Sequence, residues 1–155
     1  MKLARVGVIA AAVFAVATLA FAQAKPDFSG TWTPDIPADA AAGGGGRGMM
    51  GGPMTVTHKG DTLTIERTMG ENKVTSSYKL DGTESAFKRM GRGGNEVEVK
   101  ATAKWDGSKL VITEKAPGRG GDMTETTQTW SLEGAVLTID RVTGRGPIST
   151  KYKKS

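Results

Sequence analysis

Glu96-Val97-Glu98-Val99-Lys100-Ala101-Thr102-Ala103-Lys104-Trp105 places Val, Val, Ala, Ala and Trp at every second position, with charged residues or Thr between them. Successive side chains of an extended chain point to opposite sides, so this alternation makes a strand with one apolar and one wet face. A helix would scatter the same apolar residues around its axis. Asp106-Gly107 ends the stretch. An Asp-Gly pair after an alternating run predicts a tight hairpin turn, because glycine enters the left-handed region without a Cβ clash.

The same reading in both directions gives ten strands, at 28–33, 53–58, 62–68, 73–80, 83–88, 95–105, 109–115, 122–132, 135–142 and 147–154. No segment keeps a 3.6-residue period for three turns, so helix is expected to be close to absent. Gly60-Asp61-Thr62-Leu63-Thr64-Ile65, Gly107-Ser108-Lys109-Leu110-Val111-Ile112 and Gly134-Ala135-Val136-Leu137-Thr138-Ile139 share the pattern G-x-x-L-x-I, each opening a strand just after a turn. Their spacings of 47 and 27 residues are too irregular for a solenoid. The expected fold is all-β: an antiparallel up-and-down meander closing into a barrel or clam of eight to ten strands.

In such a meander the connections alternate between two ends. The joints at Lys59-Gly60-Asp61, Asp81-Gly82, Asp106-Gly107 and Glu133-Gly134 share one end as tight turns. The joints 34–52, 69–72, 89–94, 116–121 and 143–146 share the other, and they contain every Gly-Arg-Gly of the chain. Topology therefore collects Arg47, Arg92, Arg119 and Arg145 at one rim, beside Gly-rich backbone whose N–H groups can cradle an anion. The segment 34–52 is rich in Gly and Ala and is expected to be a flexible loop.

Side-chain direction adds interior candidates. In Leu63-Ile65-Arg67 and Leu137-Ile139-Arg141 the Arg continues the apolar face as its strand nears that rim, so both can point into the mouth. Leu110-Ile112-Glu114 obeys the same rule and would supply an opposing carboxylate, so a structural Arg/Glu network competes with an anion site. Trp130 shares a face with Thr124, Thr126 and Gln128, which gives that wall a partly polar character in either register. Trp32 and Trp105 are read as core. His58 follows Met54 and Val56 and is expected to cap the turn end with its ring partly buried.

Phe28-Ser29-Gly30-Thr31-Trp32 contains the G-x-W pattern of the first strand of lipocalins, and it opens a full meander that ends in Thr150-Lys151-Tyr152-Lys153. By pattern the chain resembles the lipocalin-like and fatty-acid-binding (calycin) β-barrels over most of residues 27–153. The resemblance implies a single ligand-binding barrel in which Tyr152 matches a ligand-contacting Tyr. The Arg that the fatty-acid-binding pattern carries two residues earlier is Thr150 here, and the helical lid after the first strand is replaced by the Gly-rich stretch 43–52. Arg67 and Arg141 are the candidates to replace that Arg, from alternation and not from resemblance.

Composition bounds the chemistry. The 155 residues include no Cys and one His, which leaves nothing for a disulfide scaffold, a thiol enzyme, a Cys-ligated metal or a lipid-anchored lipoprotein, and little for a His-based triad. No catalytic residue, metal site or cofactor is assigned: the Gly clusters do not sit between a strand and a helix as phosphate-loop and dinucleotide fingerprints require. Lys2 and Arg5 precede an apolar run from Val6 to Phe21 and two A-x-A patterns, which reads as a signal peptide over 1–24, cleaved after Ala24 or else Ala22. Cleavage removes two positive charges and no acid, lowering the formal charge from +5 to +3. Nucleic-acid binding is not expected at that charge, nor is membrane insertion of strands whose outer faces carry Lys, Glu and Thr. The expectation is a monomeric periplasmic or extracellular domain over 25–155 that binds a small amphipathic or anionic molecule through Arg67, Arg141, Tyr152 and Trp130. The alternative is an exported structural module with a filled barrel whose Arg rim meets an anionic surface or partner.

Overall fold

The computed structural model describes residues 24–36, 52–69, 71–91, 94–118, 120–144 and 146–155. The expected signal peptide, most of the 34–52 loop and all four rim residues Arg47, Arg92, Arg119 and Arg145 lie outside the described residues. Ten strands follow in order: β1 (Gly30–Pro34), β2 (Met54–Lys59), β3 (Thr62–Met69), β4 (Asn72–Lys79), β5 (Glu84–Met90), β6 (Glu96–Asp106), β7 (Lys109–Pro117), β8 (Met123–Glu133), β9 (Val136–Thr143) and β10 (Gly146–Lys154). There is no helix among the described residues.

The sheet order is β4-β3-β2-β1-β10-β9-β8-β7-β6-β5, with every neighbouring pair antiparallel. Because β10 returns to pair with β1, the meander curls into a nearly closed barrel whose seam lies between β4 and β5. Alternation is realised in β6, where Val99, Ala101 and Ala103 are buried and Lys100, Thr102 and Lys104 are exposed.

Three turns at one end place a glycine at nearly the same left-handed φ, Gly60 at 56°, Gly107 at 62° and Gly134 at 60°, as the shared turn chemistry requires. An aromatic plug fills that end. Phe28 stacks on Trp105 at 5.8 Å between ring centroids and meets Trp130 edge-on at 5.7 Å. Its carbonyl accepts a 2.9 Å bond from Trp32 Nε1. This inward turn of Phe28, with Gly30 at φ 141°, is why β1 begins at Gly30 and not at Phe28 as the sequence pattern predicts. Trp32 is buried and Trp105 half-buried, while His58, with 12% of its side chain exposed, sits beside Phe28 and Trp105.

The opposite end is less uniformly loose than its composition suggests. The β3–β4 and β9–β10 joints each span two residues, as short as the tight turns. Gly91-Arg92-Gly93-Gly94-Asn95 and Gly118-Arg119-Gly120-Gly121-Asp122 close with the same bonds. Gly91 N–H donates to Asn95 O at 2.8 Å and Gly118 N–H to Asp122 O at 2.7 Å, while Gly94 and Gly121 donate back to Gly91 and Gly118. A Cβ at Gly118 would lie 2.6 Å from Thr124 Oγ1, too close without a shift, whereas one at Gly91 would lie 3.1 Å from Val97 Cγ1, a tight contact that a small adjustment relieves.

The plug should dominate stability at the turn end. Trp130→Ala removes a side chain with no exposed surface and is expected to cost about 3–5 kcal/mol, read as a lowered urea midpoint.

Candidate functional site

Towards the loop end the inward row changes from apolar to charged on four strands. On β3, Leu63 and Ile65 lead to Arg67; on β5, Phe87 leads to Arg89; on β7, Leu110 and Ile112 lead to Glu114; on β9, Leu137 and Ile139 lead to Arg141. The pleat carries these groups inward because register, set by the buried aliphatic residues, leaves no choice of face.

Glu114 is the hub of one part of this cluster and is 5% exposed. Its Oε1 accepts a 2.5 Å bond from the Tyr78 hydroxyl on β4, and its Oε2 pairs with Arg89 Nη1 on β5 at 3.1 Å. Burial first, and then the neighbouring Glu114 carboxylate, push the Tyr78 phenol far above its ordinary value, so it stays protonated and donates. The two partners stand on either side of the seam, where β4 and β5 form no backbone ladder. Tyr78 and Phe87 meet edge-to-face across it at 5.3 Å, and Lys79 N–H bonds Ser85 Oγ at 2.9 Å.

Arg67 and Arg141 form the other part. Arg67 Nη2 lies 3.4 Å from the Met54 sulfur, a weak acceptor. The buried Nε of Arg67 and the buried Nε of Arg141 have no hydrogen-bond partner among the described residues. Among the described residues neither guanidinium has a carboxylate within 4.0 Å. Burial, and next the like charge of Arg67, hold the Arg141 guanidinium below its ordinary value, against the opposing pull of Glu114 and Tyr152. Arginine nevertheless remains a cation at neutral pH.

Of the residues singled out in the sequence, Arg67, Arg141 and Tyr152 come together on the inner face, with Tyr152 buried on β10 opposite Leu137. Lys151 lies on the exposed face. Trp130 is fully buried with its edge on Phe28, and its Nε1 donates to Gln128 Oε1 at 3.3 Å. Gln128 is itself buried and is the register partner of Arg141. The expected opposition of Glu114 to Arg67 and Arg141 takes a different form: the carboxylate is engaged by Tyr78 and Arg89, two residues the sequence reading left out. Ending the fifth strand at 88 put Arg89 in a joint, whereas Ser85-Phe87-Arg89 follows the rule that found Arg67. No group of His, Asp or Glu among the described residues is arranged to hold a metal ion.

No protein-family model matches the chain, and no curated protein does. Solved structures do. Secretory abundant heat soluble protein 4 from Ramazzottius varieornatus is similar at 19% identity and a TM-score of 0.55, over 82% of this chain and 94% of that one. Human cRBP IV is similar at 18% identity and 0.56, over 84% and 99%. A variant of the fluorescent protein UnaG is similar at 20% identity and 0.55, over 83% and 96%. All three are calycin-type β-barrels, and at these identities the likeness shows the fold alone.

Two outcomes test the electrostatics of the cluster. Because the folded state raises the Tyr78 phenol above its ordinary 10.0, its contribution is fully present below that pH and is lost progressively as pH rises above it towards the raised folded value. Tyr78→Phe should cost about 1–3 kcal/mol at pH 7 by leaving a buried carboxylate oxygen unpaired. The same variant should lose less stability than the parent between about pH 9 and pH 11, read from urea midpoints. Arg141→Leu removes a desolvated, unpaired charge and should raise the ligand-free stability by about 1 kcal/mol, roughly 4 °C in Tm by calorimetry.

Proposed function

We propose that this calycin-type barrel is an exported, non-enzymatic binding protein that holds a small anionic or amphipathic molecule at the loop-end half of its interior. The observation that carries the reading is the pair of buried Nε atoms on Arg67 and Arg141 with no partner among the described residues. A buried donor without an acceptor costs free energy, and two like charges side by side cost more. A fold selected only for a packed interior would place apolar residues after Leu63-Ile65 and Leu137-Ile139. An anionic group between the two guanidinium groups would satisfy the donors and offset the repulsion together.

In this reading Arg67 and Arg141 hold the polar end of the ligand, and Tyr152 adds a hydroxyl beside Arg141. Gln128, the register partner of Arg141, accepts from Trp130 through its carbonyl oxygen, which leaves its amide N–H groups as donors for the site. Trp130 supports this arrangement from the plug and orients Gln128. Glu114, with Tyr78 and Arg89, keeps the seam closed beside the site. Export follows from the basic residues, apolar run and small-residue cleavage patterns of 1–24. The Gly-Arg-Gly joints, which join strands at the same end, would steer an anion by a field limited to about 8 Å at physiological salt.

A second reading takes the molecule as an exported interaction module whose rim meets a partner. It is supported by Met90, Met123 and Val142, exposed large apolar side chains on the outer face near the loop end of β5, β8 and β9. The two readings differ in what the interior contains.

Native mass spectrometry of the protein purified from the compartment to which it is exported tests both export and binding. The expected chain mass begins at Lys25, with an additional small-molecule mass that disappears in the Arg67→Ala/Arg141→Ala double variant. A chain with no adduct, and no thermal shift across a panel of fatty acids and organic anions, would overturn the binding reading in favour of the interaction module.

A further inference from the structure

The interior charges do not balance, and the imbalance specifies the ligand more narrowly than "anionic". Both oxygens of Glu114 are already engaged, Oε1 by Tyr78 and Oε2 by Arg89. The close ion pair is with Arg89, so among the described residues three inward arginines share one carboxylate. Among those residues Arg67 and Arg141 have no carboxylate within 4.0 Å, and each has a buried Nε without a partner. Charge and donor geometry then make separate demands on the occupant.

A carboxylate carries one charge and two oxygens in a plane. It matches the edge of a single guanidinium, taking one N–H to each oxygen, and this uses up its charge. The second guanidinium would remain buried and unpaired, at the energetic cost that unpaired ions carry inside proteins. A phosphate monoester carries close to two charges above its second dissociation near pH 6 and presents three strong acceptor oxygens arranged tetrahedrally. Two oxygens can face one guanidinium while the third, or a shared one, faces the other. Such a head also accepts a further N–H from Gln128, which is the register partner of Arg141.

We propose that Arg67 and Arg141 together form a site for a doubly charged phosphate monoester head. This rests on the binding reading above and narrows it.

Isothermal titration at pH 8 with octyl phosphate, octyl sulfate and octanoate separates charge from shape. All three share one tail. The phosphate is a tetrahedral dianion, the sulfate a tetrahedral monoanion and the octanoate a planar monoanion. The expected result is octyl phosphate binding at least about tenfold more tightly than either of the others, a preference that Arg67→Gln and Arg141→Gln each reduce to less than about threefold with the far-UV circular dichroism unchanged. Equal affinity for sulfate and phosphate, or octanoate binding as tightly as phosphate, overturns the dianion assignment while leaving a binding protein. Failure of all three to bind overturns the assignment and the binding reading together. A phosphate preference that survives in both variants overturns the assignment to these two arginines.

Discussion

Charge taken out of water costs several kcal/mol per ion unless a partner and good hydrogen bonds replace the lost hydration. Among the described residues three arginines and one glutamate lie on the inner face, and the cost is met unevenly among them. Arg89 has its carboxylate. Arg67 and Arg141 have each other's repulsion and two vacant donors. The rest of the molecule can be understood as the scaffold that keeps this uncompensated pair in place. The aliphatic residues below them fix strand register, and register fixes the face on which each arginine must project. The aromatic plug at the turn end provides the buried apolar area that a small domain needs to tolerate a charged interior.

The seam between β4 and β5 shows the same economy. Neighbouring strands elsewhere in the sheet are joined by a backbone ladder, and at this one boundary side chains take over. Tyr78 from one side and Arg89 from the other converge on Glu114 of β7, so one buried carboxylate links three strands. Its retention by a proton-holding phenol and a guanidinium satisfies both oxygens, which is the condition under which a buried acid stabilises a fold instead of straining it. The two parts of the cluster therefore differ: Glu114 is satisfied within the protein, whereas among the described residues the buried Nε atoms of Arg67 and Arg141 have no hydrogen-bond partner.

Much of this was legible in the linear pattern. Alternation in 96–105 and its counterparts located all ten strands to within about two residues, because a strand with one buried face writes its period directly into the sequence. The paired turn glycines fixed which joints share an end. The same alternation put Arg67, Glu114 and Arg141 on the inner face without any knowledge of tertiary contacts. It missed Arg89 by a boundary of one residue, and it passed over Tyr78 because a Tyr in a strand ordinarily reads as core.

Local chemistry along the chain was thus sufficient for the strands, the hairpins, the inward direction of Arg67, Glu114 and Arg141 and the expectation of export. Period and turn propensity are short-range properties, written in neighbouring residues. Which charge meets which was settled only by closure of the sheet. Tyr78 and Glu114 are 36 residues apart, and Arg89 and Glu114 are 25 apart. Their meeting depends on curvature and on β10 returning to β1, neither of which alternation encodes. With that closure Glu114 is engaged by Tyr78 and Arg89, and among the described residues Arg67 and Arg141 have no carboxylate within 4.0 Å.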